Sequence, residues 1–264
     1  MDAAELKQRI KQGKQAVGTW AQMASAEAVE MAGKAGFDFV IIDTEHGYFG
    51  LDIAEGLVRA ADATGIVPFI RVAEKNPTLI MKSLDMGARG IVVPGVSTQE
   101  DAEMAVRAAK YPPAGDRGAC PYVRAAGHTA WDWAAYAKDS NENNMVCLLV
   151  EGTEGVANFE KIITVPGVDV VILGPFDLSV SLGVGGEVHH PLVEEKLASM
   201  CRLASKNGVA LAGVVFELQP SDIKAQLSKW TSMGSSVAIV GGDKMFLASA
   251  FRNAAEVAAT FKRQ

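Results

Sequence analysis

The stretch FDFVIIDTEHGYFG, residues 37–50, places Asp43, Glu45 and His46 directly after an apolar run from Phe37 to Ile42. Charges at the end of a buried strand are costly unless they face a polar site, so these residues are expected to line one. A lone histidine is most often a structural residue, but Asp43 stands three positions before His46. A carboxylate that accepts an imidazole proton fixes the tautomer and makes the ring more basic, which suits a general base. Arg71 ends the run VPFIRV; its guanidinium suits a substrate carboxylate or a developing oxyanion, or else a partner for Asp43 or Glu45. Glu151 ends MVCLLVE and Asp177 lies in GPFDLS, 26 residues on. That spacing is one strand–helix unit, so the two carboxylates crown adjacent strands, about 4.8 Å apart. They repel unless a proton or a cation lies between them. Two oxygen ligands suit Mg2+ or Mn2+, with positions left for water and a chelating substrate. The plainer alternative is that Asp177 caps the short helix DLSVSLG and Glu151 pairs with a base such as Arg71.

These side chains need strand ends to hold them. Short apolar, β-rich runs alternate with longer helical patterns. The strands read as 16–20, 37–43, 67–72, 90–94, 145–151, 168–174, 209–216 and 236–241. Between them lie amphipathic stretches such as SAEAVEMAGKAG and PLVEEKLASMCRLASKNG, several stopped by glycine. Continuous apolar strands, each followed by a helix, imply a parallel sheet covered on its outer face. Eight units predict a single-domain (β/α)8 TIM barrel spanning 1–264, with reactive residues at the C-terminal strand ends. A doubly wound open sheet is the competitor, but the first strand runs into GTWAQMASAE, which lacks its Gly-rich phosphate turn. The first strand end then supplies Trp20 and Gln22 and the fourth Pro94, whereas the seventh and eighth end in apolar or Gly residues. One connection, 111–144 between the fourth and fifth strands, is long for its place. It predicts a short helix around Trp131–Ala137 and a role as lid or subunit contact.

A net charge of −6 and a pI near 5.3 argue against nucleic acid or an anionic membrane surface as partner. The N-terminal stretch has no signal-type apolar run, and no segment is apolar over the length of a membrane span. Cys120, Cys147 and Cys201 are odd in number and far apart, which predicts reduced packing residues in a cytoplasmic protein. His128, His189 and His190 read as loop or surface residues. No lysine is expected at a strand position: Lys75 and Lys244 read as loop residues and Lys82 as helical. Schiff-base chemistry needs a desolvated lysine, so its absence favours a metal. There is no nucleophile elbow and no CxxC.

The motifs AGFDFVIIDTEHG, KSLDMGARGIVVPGV, KYPPAGDRG, LLVEG and GVDVVILGPFDLS, in this order from about Gly18 to Phe261, resemble the HpcH/HpaI family of class II pyruvate aldolases. The resemblance implies a (β/α)8 barrel, a divalent metal (Mg2+ or Mn2+, with Co2+ also usable) and a hexamer built as a trimer of dimers. It also implies that the last helix is exchanged between subunits. Matched residue by residue, the metal ligands fall on Glu151 and Asp177, the base on His46 with Asp43 as dyad partner, and the enolate-stabilising arginine on Arg71. Gly174 would offer a main-chain N–H to the pyruvate carboxylate, and Trp20 at the first strand end is expected among the substrate-binding residues. Asp85 matches an aspartate that reaches a neighbouring subunit's site, and Arg124 an arginine that reaches across an interface to the aldehyde tail. Two departures make the pocket wall more apolar: Leu149-Val150-Glu151-Gly152 on the fifth strand, and Phe176 where a small residue is usual. The expected reaction is cleavage or formation of a 4-hydroxy-2-oxo acid from pyruvate or hydroxypyruvate and an aldehyde. Citrate-forming or other carboxylate-condensing chemistry on the same site is the first alternative. A barrel that binds a 2-oxo acid without turnover is the second.

Overall fold

The computed structural model describes residues 1–261. Eight parallel strands close into a barrel in chain order: β1 (Ala16–Ala21), β2 (Phe39–Asp43), β3 (Val67–Arg71), β4 (Gly90–Val93), β5 (Met145–Val150), β6 (Val170–Leu173), β7 (Ala210–Val215) and β8 (Val237–Gly242). β1 pairs with both β2 and β8, so every strand has two neighbours and the sheet has no edge, unlike an open doubly wound sheet. The helices are α1 (Ala3–Lys11), α2 (Ala26–Ala35), α3 (Leu51–Thr64), α4 (Pro77–Asp85), α5 (Gln99–Ala109) and α6 (Trp133–Asn143) in the first part. Then come α7 (Thr153–Ala157), α8 (Phe159–Ile163), α9 (Pro175–Ser181), α10 (Pro191–Asn207), α11 (Pro220–Ser232) and α12 (Asp243–Phe261). Glycine stops are where the sequence puts them: Gly36, Gly65 and Gly208 end α2, α3 and α10 with φ of 96°, 75° and 68°, a left-handed turn that glycine adopts freely.

Strand residues alternate between two packing layers. Phe39 and Ile41, Val67 and Phe69, Met145, Cys147 and Leu149, and Val170 and Ile172 fill the barrel interior, where Leu6 and Ile10 of α1 join them. Val40, Ile42, Ile70, Leu148 and Val171 face outward beneath the helices. With both faces covered, these strands read as unbroken apolar runs rather than alternating ones. The rings of Phe39 and Phe69 stack with centroids 5.2 Å apart, and β1 makes room for them with glycine. A Cβ at Gly18 would stand 2.3 Å from the Phe39 ring. Continuing the inward-facing series toward the strand ends gives Trp20, Asp43, Arg71, Glu151 and Gly174, so one alternation rule carries these five positions to the barrel mouth.

Two expectations about the periphery shift. The long connection holds a 3₁₀ turn at Arg124–Ala126 and then α6, which runs from Trp133 to Asn143 rather than over Trp131–Ala137. Asp132 sets its start, accepting the Ala135 N–H at 3.0 Å, and Trp133 packs edge-on against buried Tyr111. Lys244 belongs to the first turn of α12 and not to a loop. No residue described in α12 is buried, and Leu247, Phe251 and Val257 of this helix are exposed. No helix among the described residues is long and apolar enough to cross a membrane.

Candidate active site

Asp43 ends β2 and Arg71 ends β3, and the parallel register sets them side by side. Both side chains are buried. Arg71 donates from Nε to Asp43 Oδ1 at 2.8 Å and from Nη2 to Oδ2 at 2.5 Å, a two-pronged contact that fixes the guanidinium plane. The Trp20 ring lies against that plane, 4.5 Å from centroid to Cζ. Nη1 comes within 2.9 Å of Glu45 Oε2. This is close enough for an ion pair, but the angle misses hydrogen-bond geometry and leaves buried Oε2 without a hydrogen-bond partner. Burial pushes the Asp43 carboxyl up, but the hydrogen bonds and charge of Arg71, with help from Gln22 and the His46 amide, win and hold it below the ordinary aspartate range.

Asp43 does not pair with the His46 ring. Five donors already fill its two oxygens: Arg71 Nε and Nη2, Gln22 Nε2 at 2.8 Å, and the main-chain N–H groups of Glu45 and His46 at 3.1 and 3.2 Å. The expected side-chain dyad is therefore corrected. Asp43 holds the backbone of the turn that presents His46, and leaves the imidazole exposed at the mouth. Gly47 closes this turn by donating to the Asp43 carbonyl at 3.1 Å. A Cβ on Gly47 would come 2.1 Å from that same oxygen.

Glu151 follows β5, which pairs with β6, and Asp177 stands in the first turn of α9 just past β6. Glu151 Oε1 accepts the Gly95 N–H at 2.9 Å. Burial pushes the Glu151 carboxyl up to about 7; the Gly95 amide and Arg71 oppose this, while Asp177 and Glu45 add to it by like charge. Glu45 is also raised, first by burial and then by Asp43 and Asp177, against the pull of Arg71 and His46. The pocket thus gathers more negative charge than Arg71 can balance. Its hard oxygen donors fit a divalent cation. Among the described residues no three His, Cys, Asp or Glu side chains form a ready cage.

Other expected residues stand differently. The Gly174 N–H donates to the Val150 carbonyl at 3.1 Å, so it is not free for a substrate carboxylate. The first i→i−4 bond of α9 runs from Leu178 to Gly174, which leaves the amides of Phe176 and Asp177 ahead of it. Asp85 ends α4 and pairs with buried Arg117 at 2.6 Å. Arg124 binds the Met86 carbonyl at 2.9 Å and Asp62 at 2.5 Å. Both lie toward the strand starts, because α4 runs back down the barrel, so a single chain does not bring them to the mouth. Two contributors were not legible as site residues. Gly95 holds Glu151 through its backbone. Asp243, just past β8, accepts the amides of Gln22 and Met23 at 2.9 Å each and so steadies the β1 end; the sequence signal for it was GGDK after the last strand.

A closed (β/α)8 barrel whose strand ends hold an arginine–carboxylate cluster beside an exposed histidine is suited to enzyme chemistry on a small molecule. The chain belongs to the HpcH/HpaI aldolase/citrate lyase family, whose profile matches residues 16–241, and it is a lyase of that family. It is 37% identical over 182 residues to the 2-dehydro-3,6-dideoxy-6-sulfogluconate aldolase of Pseudomonas putida, covering 69% of this chain and 71% of that one. With the hydroxypyruvate/pyruvate aldolase of Pseudomonas aeruginosa it shares 34% over 259 residues, 97% and 92% of the two chains. A crystal structure of an HpcH/HpaI aldolase/citrate lyase family protein from Burkholderia cenocepacia J2315 superposes with a TM-score of 0.89 at 31% identity, covering 97% of this chain and 99% of that one.

Proposed function

We propose that the protein is a divalent-metal-dependent pyruvate aldolase that cleaves or forms 4-hydroxy-2-oxo acids from pyruvate or hydroxypyruvate and an aldehyde. The observation that carries this is the convergence of Arg71, Glu151 and Asp177 with an exposed histidine at one barrel mouth. Glu151 and Asp177 would hold Mg2+, Mn2+ or Co2+. When bound, such an ion supplies an electrophile that draws charge onto the keto oxygen of the substrate. Arg71, locked by Asp43 with the Trp20 ring against its plane and with Glu45 beside Nη1, would balance the oxygen charge that develops on the pyruvate half. His46 accepts the proton of the 4-hydroxyl. The C3–C4 electron pair passes to the pyruvate half, C4 leaves as the aldehyde carbonyl, and a proton from water completes pyruvate at C3 while His46 returns its own to solvent. Leu149 and Phe176 give the pocket an apolar wall.

The working unit in this reading is a homo-hexamer, a trimer of dimers with α12 exchanged between subunits. Exposed Leu247, Phe251 and Val257 support it, since an unburied apolar helix face gains from a partner. So does the distance of Asp85 and Arg124 from their own chain's mouth, which suits service in a neighbour's site. Unpaired Cys120, Cys147 and Cys201 suit a cytoplasmic enzyme. The test offers a panel of aldehydes with pyruvate or hydroxypyruvate and each metal, with products read by mass spectrometry and assembly by sedimentation velocity. New 4-hydroxy-2-oxo acids are expected from an oligomer. Citrate from oxaloacetate and acetyl-CoA, with no aldol product, would replace this reading with the condensing one.

A further inference from the structure

Two glycines touch the Glu151 side chain, and each position asks for glycine for its own reason. Gly95 follows β4 with φ of 58°, a left-handed conformation that few residues other than glycine and asparagine adopt readily. A Cβ there would meet open space, so the demand comes from the backbone and not from crowding. In that conformation the Gly95 N–H reaches from the end of β4 to Glu151 Oε1, 2.9 Å away. The next amide, that of Val96, donates to the Leu149 carbonyl at 3.1 Å and ties the same turn to β5 just before Glu151. Gly174 is the opposite case. Its φ of −91° suits any residue, but a Cβ would stand 2.8 Å from Glu151 Cβ and 3.1 Å from Oε2. The Glu151 side chain therefore lies across a bare Cα at the end of β6, three residues before Asp177.

Together the two glycines fix what this carboxylate can offer. Oε1 is committed to the Gly95 amide, and among the described residues no hydrogen bond or ion pair reaches Oε2. A cation that also took Oε1 would have to share it with a main-chain donor, whose positive end faces that oxygen. One oxygen per carboxylate is what Mg2+ or Mn2+ needs when its other positions stay with water and substrate. Ca2+ is larger, gathers more oxygens and gains from two-oxygen contacts with a carboxylate. A glutamate held by one oxygen thus discriminates among divalent ions through its backbone support and not through an extra ligand.

We infer that Gly95 and Gly174 are positioning residues that present Glu151 to a divalent ion through Oε2 alone, and that this one-oxygen contact makes the site prefer Mg2+ or Mn2+ to Ca2+. This rests on the metal reading, and the experiment separates the two. Calorimetry titrates Mn2+ and Ca2+ into chelator-stripped wild type, Gly95→Val, Gly95→Asn and Gly174→Ala, with a melting curve recorded for each. Wild type should bind Mn2+ more tightly than Ca2+. Gly95→Val, whose branched side chain disfavours the left-handed turn, should weaken Mn2+ binding about 10–100-fold, the usual effect of losing a group that orients a metal ligand. Oε1 is then open to a second contact, so Ca2+ should lose less and the preference should shrink. Gly95→Asn tolerates the turn and should recover most of the loss. Gly174→Ala keeps its backbone and displaces only the Glu151 side chain, so it should weaken Mn2+ by a similar factor and reports on the clamp even where Gly95→Val does not fold. Wild-type Mn2+ affinity in folded Gly95→Val or in Gly174→Ala, whatever the Tm, would overturn the inference. So would a wild type that binds Ca2+ as tightly as Mn2+. A wild type that binds neither ion would sink the metal reading, and the inference with it.

Discussion

Asp43→Asn separates the two ways in which Asp43 could serve the site. The structure spends both carboxylate oxygens on Arg71, Gln22 and two turn amides and none on the imidazole. Asparagine keeps one acceptor oxygen but turns an NH2 toward groups that are themselves donors, and it leaves the Arg71 charge short of its closest counter-charge. Removing one partner of a buried pair costs about 3–5 kcal/mol. Glu45 remains near Nη1, so a value of about 3 kcal/mol, at the low end, is expected. In a chain of this length that lowers Tm by roughly 6–12 °C. A guanidinium no longer held in plane should also lower kcat by about 10²-fold, the scale of losing one well-aimed charge-stabilising donor. Melting curves and kcat on wild type and variant decide it. An unchanged Tm would refute the reasoning and restore the dyad.

Three further outcomes follow from the same geometry. His46→Ala should lower kcat by about 10²–10⁴, roughly 3–5 kcal/mol in the barrier, with Tm unchanged because the ring is exposed; loss of both together would mark a structural histidine. The Glu151 carboxyl, raised from 4.5 to about 7 by burial and by Asp177 and Glu45, keeps its proton in the metal-free fold after an unfolded chain would have lost it. Metal-free protein should therefore lose stability as pH rises from 4.5 to 7, and metal affinity should climb over the same window. Glu151→Gln should reduce that slope in pH-resolved melting, leaving the part that the raised Glu45 carboxyl contributes. Gly18→Ala should destabilise by about 1–3 kcal/mol through overpacking against the Phe39 ring, and Phe39→Leu should recover part of that loss in a double-mutant melt.

Much of this site was legible before any coordinates. Strands of a closed barrel are covered on both faces, so each reads as an apolar run, and the first polar residue after it falls at the mouth. That places Asp43, Arg71 and Glu151. What the chain order hides is choice among neighbours in space. His46 is three residues from Asp43 along the chain, but Arg71 is its register partner across β2 and β3, and a bidentate guanidinium takes the carboxylate first. Main-chain donors are invisible to side-chain reading, hence the part played by Gly95 and the prior engagement of the Gly174 N–H. Asp243 was overlooked and Lys244 read as a loop residue because β8 ends in glycines, although the next two residues carry opposite charges. Asp85 and Arg124 were matched by motif, and motif does not tell which end of the barrel a residue reaches.

The central claim is that bond cleavage needs a divalent ion on Glu151 and Asp177. The direct measurement is pyruvate release from a 4-hydroxy-2-oxo acid by protein stripped with chelator, before and after Mg2+, Mn2+ or Co2+ is returned, with Glu151→Ala and Asp177→Ala alongside. Activity should vanish on stripping and return with metal in the wild type, and should not return in either variant, both of which should remain folded. Full activity after exhaustive chelation, or a covalent adduct trapped by borohydride, would contradict it.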